Sequence, residues 1–152
     1  MLLSKSCVYG LRATLYLASK KGDQFMSIRQ LSDRLEISFH FLTKILQQLT
    51  SRGLLESYKG PNGGVRLTCS GRNISLMEIV MAIDGDDMLT ECALGLPGCG
   101  VMKPCPIHEK WAEIRESIKQ MLESTTLAEL AKKGKDFDLR ITAEGGFNDL
   151  LS

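Results

Sequence analysis

No stretch of this 152-residue chain approaches the ~20 consecutive apolar residues that a membrane-spanning helix needs. Nor does the start, MLLSKSCVYG, place an apolar run behind a basic one, so no secretory signal is expected and the chain is assigned to the cytoplasm with no membrane partner. Histidine is scarce, with only two residues far apart in sequence, and no Gly-rich phosphate loop is present. No catalytic constellation can be assembled from what remains, and the chain is not expected to be an enzyme. Internal repeats are lacking too. Disorder is excluded by composition: 43% hydrophobic and 24% charged residues are the balance of an ordinary globular chain. The length suits one compact domain, or one small domain with an appended element.

What is present in excess is sulfur. Five cysteines are an odd number, so complete pairing within one chain cannot occur. In a reducing compartment, clustered cysteines lean towards metal binding or redox chemistry. Charge is unevenly placed as well. Residues 1–72 carry 11 Lys and Arg against 4 Asp and Glu, a net of +7, while residues 73–152 carry 8 against 14, a net of −6. A basic half of this kind suits a polyanion.

Hydrophobic spacing organises the basic half. Val8, Leu11, Leu15 and Ala18 recur at helical intervals from Ser4 to about Ser19. A second helix is expected from an N-cap at Ser27, with Ile28, Leu31 and Leu35 on one side. A tight turn through Glu36 and Ile37 leads to Ser38, a further N-cap candidate. The third helix follows, with Phe41 or Leu42, Ile45, Leu46 and Leu49 inward and Gly53 as its stop. LLESYKGPNGGVRLTCS then reads as two strands, roughly Leu54 to Tyr58 and Gly64 to Thr68, around a Gly/Pro/Asn turn. Helix-turn-helix followed by a hairpin makes a winged helix. The expected fold is therefore mainly α with a small β-hairpin.

The second half is expected to hold a short helix from Ser75, a loop from about Asp86 to Cys105, and a long helix over 106–124 that Pro106 opens. In that helix Ile107, Trp111, Ile114, Ile118 and Met121 are spaced 4, 3, 4, 3, as in a coiled-coil seam, which suggests a homodimer. The Gly- and charge-rich tail, 132–152, is expected to be loosely ordered. Three parts result: a DNA-binding unit at 1–72, a loop and dimer helix at 73–131, and the tail. Met77, Met81 and Met121 are expected in the core, and Cys69 is taken as a small apolar filler.

A helix-turn-helix presents its second helix to the major groove. The outward residues here are Ser38, His40, Thr43, Lys44 and Gln47, whose hydroxyls, amide and ammonium suit base edges and phosphate oxygens. Tyr58, Lys59, Pro61 and Asn62 at the hairpin tip can reach the adjacent groove or backbone. Arg29, Arg34, Arg52 and Arg66 extend the positive face. The partner expected from this pattern is double-stranded DNA, with a palindromic site if the protein is dimeric.

The loop carries Cys92-x6-Cys99-x5-Cys105, then His108. Zinc sites usually bring ligands in close pairs of the C-x2-4-C type, and no such cysteine pair is present. Wide spacing with Gly95, Pro97, Gly98 and Gly100 suits a loop wrapped around an iron–sulfur cluster, which cysteine thiolates hold. Cys105 is placed at the N-cap of the long helix, whose partial positive charge favours a thiolate. Zinc, bare redox thiols or an electron-transfer cluster remain alternatives at this level.

The winged helix, RGLLESYKGPNGGVRL, the three-cysteine loop and CPIHEKW opening a long helix together resemble the Rrf-two-type bacterial winged-helix regulators of the IscR/NsrR kind, over nearly the whole chain to about Ala131. The resemblance implies a homodimeric repressor with crossed long helices and an iron–sulfur cluster, 2Fe-2S with 4Fe-4S as the alternative, bound by Cys92, Cys99 and Cys105. It implies His108 as fourth ligand, with Cys7 of the other subunit as the alternative. Some members use an acidic residue where this chain has Val8. The first cysteine gap is one residue longer than the family's usual five, and Thr43 stands where IscR-like members carry a glutamate that distinguishes operator classes. The expected signal is cluster supply, nitric oxide, oxygen or redox state.

Overall fold

A computed structural model describes residues 2–68, 73–98, 100 and 102–151. Capping chemistry sets most helix boundaries. α1 (Lys5–Ser19) begins where the Ser4 hydroxyl accepts the Cys7 amide at 3.0 Å, and α2 (Ile28–Leu35) where Ser27 accepts from Gln30 at 3.1 Å. α2 ends at Glu36, which takes the left-handed conformation (φ 58°), and Ile37 then turns the chain into α3 (Phe39–Ser51). This turn is pinned by the Ser32 hydroxyl, which donates to the Ile37 carbonyl at 2.5 Å. Ser38 holds the N-cap position of α3, although its side chain makes no capping bond.

The wing pairs β1 (Leu55–Tyr58) with β2 (Gly64–Leu67) in antiparallel register, Leu55 opposite Leu67 and Tyr58 opposite Gly64. Its base is tied to the segment before α2, because Met26 and Val65 exchange backbone bonds at 2.9 and 2.8 Å. A side chain at Gly64 would lie 1.9 Å from the Met26 carbonyl oxygen, so this crossing requires glycine. α4 (Leu76–Ile83) opens on a full capping box between Ser75 and Glu78. The short α5 (Asp87–Thr90), the cysteine loop, α6 (His108–Ser124), α7 (Leu127–Asp136) and α8 (Phe147–Leu151) follow. The fold is mainly helical with one two-stranded sheet, as expected. No helix among the described residues is long and apolar enough to cross a membrane.

One core joins the two halves: Tyr16, Leu31, Leu42, Ile45, Leu49, Val65, Ile79, Leu127, Ala131 and Phe147 belong to a single buried cluster. The inner stripe of α3 is Leu42, Ile45, Leu46 and Leu49, with Phe41 half-buried. α1 covers the expected span, but its buried side extends beyond the apolar residues of the pattern. Its buried residues are Cys7, Gly10, Ala13, Thr14, Tyr16, Leu17, Ala18 and Ser19, while Val8, Leu11 and Leu15 are half-buried. The reason is that α1 packs against α3, α4 and α7 at once, and small residues permit that approach. A Cβ on Gly10 would come within 2.4 Å of Ile83 Cδ1. A second, smaller cluster places Cys7 with Met77, Val80 and Leu122, between α1, α4 and α6.

Three expectations need correction. The segment after Lys132 is not loose: Ile141, Thr142 and Phe147 are buried, and Tyr16 donates its hydroxyl to the Leu150 carbonyl at 3.1 Å. Apolar residues spaced beyond any helical period, in a polar tail, carried no signal of this. α6 begins at His108 with Ile107 as its N-cap, so Pro106 lies in the preceding turn and Cys105 is not the cap. Met77 is buried, but Met81 and Met121 are 39% and 53% exposed. Cys69 lies outside the described residues.

Candidate nucleic-acid interface and cysteine site

α3 and the wing border a cleft of about 660 Å³ that gathers four of the expected contact residues, Thr43, Gln47, Tyr58 and Lys59. Ser38, His40, Lys44, Pro61 and Asn62 are exposed but do not line it. Asn62 turns the hairpin in the left-handed region (φ 61°). The Thr43 hydroxyl donates to the Phe39 carbonyl at 2.7 Å, which leaves its oxygen able to accept from outside. Two residues in the cleft were not expected there as a unit. Arg29 stacks its guanidinium 4.4 Å above the Phe39 ring, joining the first turns of α2 and α3. A basic residue next to an aromatic across a helix-turn-helix has no fixed sequence spacing, so only the packed structure exposes the pair.

The four arginines divide by use. Arg66 pairs with Glu56 at 2.9 Å and donates to the Asp23 carbonyl at 2.8 Å, so it braces the wing rather than offering a bare charge. Arg34 bonds the Leu150 carbonyl. Arg29 and Arg52 remain on the exposed surface. Lys44 of α3 is exposed on the same surface and is the cation expected to meet phosphate. Replacing it with alanine is expected to reduce the dependence of log affinity on log salt by about one unit per bound protomer, measured by titration across ionic strengths. An unchanged slope would remove Lys44 from the contact set.

Ahead of α6 two thiols converge. Cys92, 8% exposed, and Cys105, half-buried, bring their Sγ atoms to 3.4 Å, in contact but well beyond the ~2.05 Å of a disulfide. The Leu94 amide donates to Cys92 Sγ at 3.4 Å, the kind of N–H···S bond that steadies a coordinating sulfur. Turns at Gly95 and Gly98, both at φ 71°, fold the loop back. His108 is half-buried at the first position of α6, and its amide donates to the Cys105 carbonyl at 3.0 Å. Cys99 lies outside the described residues. Among the described residues, no three of His, Cys, Asp and Glu converge as a metal centre.

Cys7 occupies a different environment. It is fully buried, and burial together with the neighbouring Asp84 carboxylate pushes its thiol up to about 12. A thiol held protonated inside the α1–α4–α6 cluster cannot serve a second subunit unless the first turn of α1 opens.

A sequence model described as "Rrf2: Iron-dependent Transcriptional regulator" matches residues 3–133. The chain belongs to the Rrf2 family. Among curated relatives, this Rrf2 chain is 31% identical to NsrR of Shouchella clausii over 137 residues, covering 90% of this chain and 92% of that one. It is 28% identical to IscR of Pectobacterium carotovorum subsp. carotovorum over 160 residues, covering 100% and 97%. Among solved structures it is similar to CymR, the global cysteine regulator of B. subtilis, with a TM-score of 0.73, 27% identity, and coverage of 86% and 96%. As an Rrf2 family member the chain is a transcriptional regulator, of a family that binds DNA. The cysteine pair fits an iron–sulfur group by its chemistry: two thiols in contact, one with an amide donor, in a glycine-turned loop.

Proposed function

We propose that this Rrf2 regulator is a homodimeric repressor that binds a palindromic operator and senses iron–sulfur status, nitric oxide or redox state. The observation that carries the reading is the contact between Cys92 and Cys105 immediately ahead of α6. Cys92, Cys99, Cys105 and His108 would hold the cluster, which when bound supplies iron–thiolate bonds open to attack by oxidants and nitric oxide. Every other part of the device is protein. The loop carrying the thiols leads straight into α6, and Ile107, Ile114 and Met121 on and beside that helix are 42%, 54% and 53% exposed. Such an uncovered apolar row favours pairing of α6 with its copy. A two-fold dimer places two α3 helices on two half-sites, so the operator is palindromic. A change at the loop then alters the separation and tilt of the two winged helices, and about 1–3 kcal/mol of coupling changes affinity 5- to 150-fold.

A second reading is favoured by the same distance. Two sulfurs 3.4 Å apart need only a small approach to form a disulfide, so a regulator using cluster-free thiols, or zinc, fits the loop as well. Oxygen-free purification separates the two. The first reading expects coloured protein with about two irons and two sulfides per chain, and operator binding that changes when iron is removed. Colourless protein that carries zinc or no metal, and still responds to peroxide, would replace it with the second.

A further inference from the structure

The cysteine loop is fastened to α6 at both ends. At its exit the His108 amide holds the Cys105 carbonyl at 3.0 Å. At its entry the Glu91 carbonyl, one residue before Cys92, accepts two bonds from α6: Trp111 Nε1 at 2.9 Å and Arg115 Nη1 at 3.0 Å. A carbonyl oxygen has two lone pairs, and both are filled here. Trp111 and Arg115 are four residues apart and so share one face of the helix. Trp111 also borders, with Cys92, Ser4 and Asp84, a cleft between the start of the chain and the loop.

We propose that Trp111 and Arg115 are positioning residues of the cysteine site: by gripping the Glu91 carbonyl they keep Cys92 against Cys105 and tie the state of the loop to α6. Cys92 and Cys105 are separated by 13 positions of Gly- and Pro-rich chain, which on its own would let the sulfurs spread, since loop closure carries an entropic cost. Anchoring both flanks to one rigid helix removes most of that freedom. The grip also works in reverse. Any event that parts the two sulfurs pulls on the first two turns of α6, the helix whose apolar row is uncovered. The functional meaning rests on the thiols being the sensing groups, but the grip itself can be measured without iron.

The test uses metal-free, reduced protein carrying Cys69→Ser and Cys99→Ser, so that Cys92 and Cys105 are the exchanging pair while Cys7 stays buried. Equilibration with glutathione disulfide forms the Cys92–Cys105 bond. The two thiols give up two protons and two electrons, and one glutathione disulfide becomes two glutathione thiols. The equilibrium constant reports the effective concentration of one sulfur at the other. Trp111→Phe, which keeps a ring and loses the N–H, is expected to lower it roughly tenfold, and Arg115→Met similarly, whereas Arg115→Lys recovers most of the loss. Urea denaturation is run in parallel, because a merely structural role would move the midpoint and leave the exchange constant unchanged. In oxygen-free full-length protein, Trp111→Phe is expected to lose iron to a chelator about tenfold faster than wild type, in the range seen for residues that orient metal ligands. An exchange constant unchanged in both Trp111→Phe and Arg115→Met would overturn the proposal even in a wild type rich in iron. Iron-free wild type would overturn the cluster reading instead, and the exchange constants would still decide the grip.

Discussion

Cys92→Ser protein, purified without oxygen, is expected to carry less than about a tenth of the wild-type iron and to lose its visible absorption. Serine matches cysteine in size but offers a hard, protonated oxygen that does not replace a thiolate in an iron–sulfur site. In the proposed cluster site Cys92, 8% exposed and in contact with Cys105 Sγ, is one of the thiolate ligands, so its loss is expected to disable binding. The fold is expected to survive, since the change removes one buried sulfur contact and adds no volume. His108→Ala should behave differently. With three thiolates left, the protein is expected to retain iron at first, with a shifted spectrum and faster loss to chelator. Iron and sulfide counts with anaerobic spectra check both, and wild-type iron in Cys92→Ser would remove that residue as a ligand.

The second large effect lies in the tail. Phe147→Ala is expected to lower the unfolding free energy by about 3–5 kcal/mol, the usual cost of truncating a buried phenylalanine, read from urea or thermal unfolding. Phe147 is 5% exposed and rests on Gly134 of α7, where even a methyl group would meet its ring at 2.4 Å. Its amide donates to the Leu139 carbonyl at 3.0 Å. The same segment is tied to the winged helix by Arg12, whose guanidinium donates both to Ile141 at 2.8 Å and to Leu35 at 2.9 Å. One side chain thus bridges the tail and the end of α2. A loss below about 0.5 kcal/mol, the level of an ordinary surface substitution, would contradict this packing.

Much of the fold was legible in the residues because its signals act over one or two turns. Ser27 and Ser75 accept amides three residues ahead, and Gly53 ends α3 at φ 75°. The Gly/Pro/Asn cluster between β1 and β2 sets a turn whatever surrounds it. The hydrophobic stripe of α3 was readable for the same reason, since that helix buries one face. α1 was legible as a helix over its full span, but not which side faces inward, because it buries most of its circumference and an amphipathic period cannot identify its inner side. Proline at position 106 suggested a helix start that the structure places two residues later, within the ordinary spread of helix ends.

By itself, the sequence determined the helix-turn-helix with its wing, the basic first half and a sulfur-rich loop beside a long helix, since caps, turn residues and composition are local properties. Only the tertiary structure decided that the segment after Lys132 buries Ile141 and Phe147, that Arg34 and Arg66 serve the fold, that Cys92 meets Cys105, and that the Glu91 carbonyl accepts from both Trp111 and Arg115. Those outcomes depend on backbone acceptors and on which surfaces meet across distant parts of the chain, and a backbone carbonyl is the same at every position of a sequence.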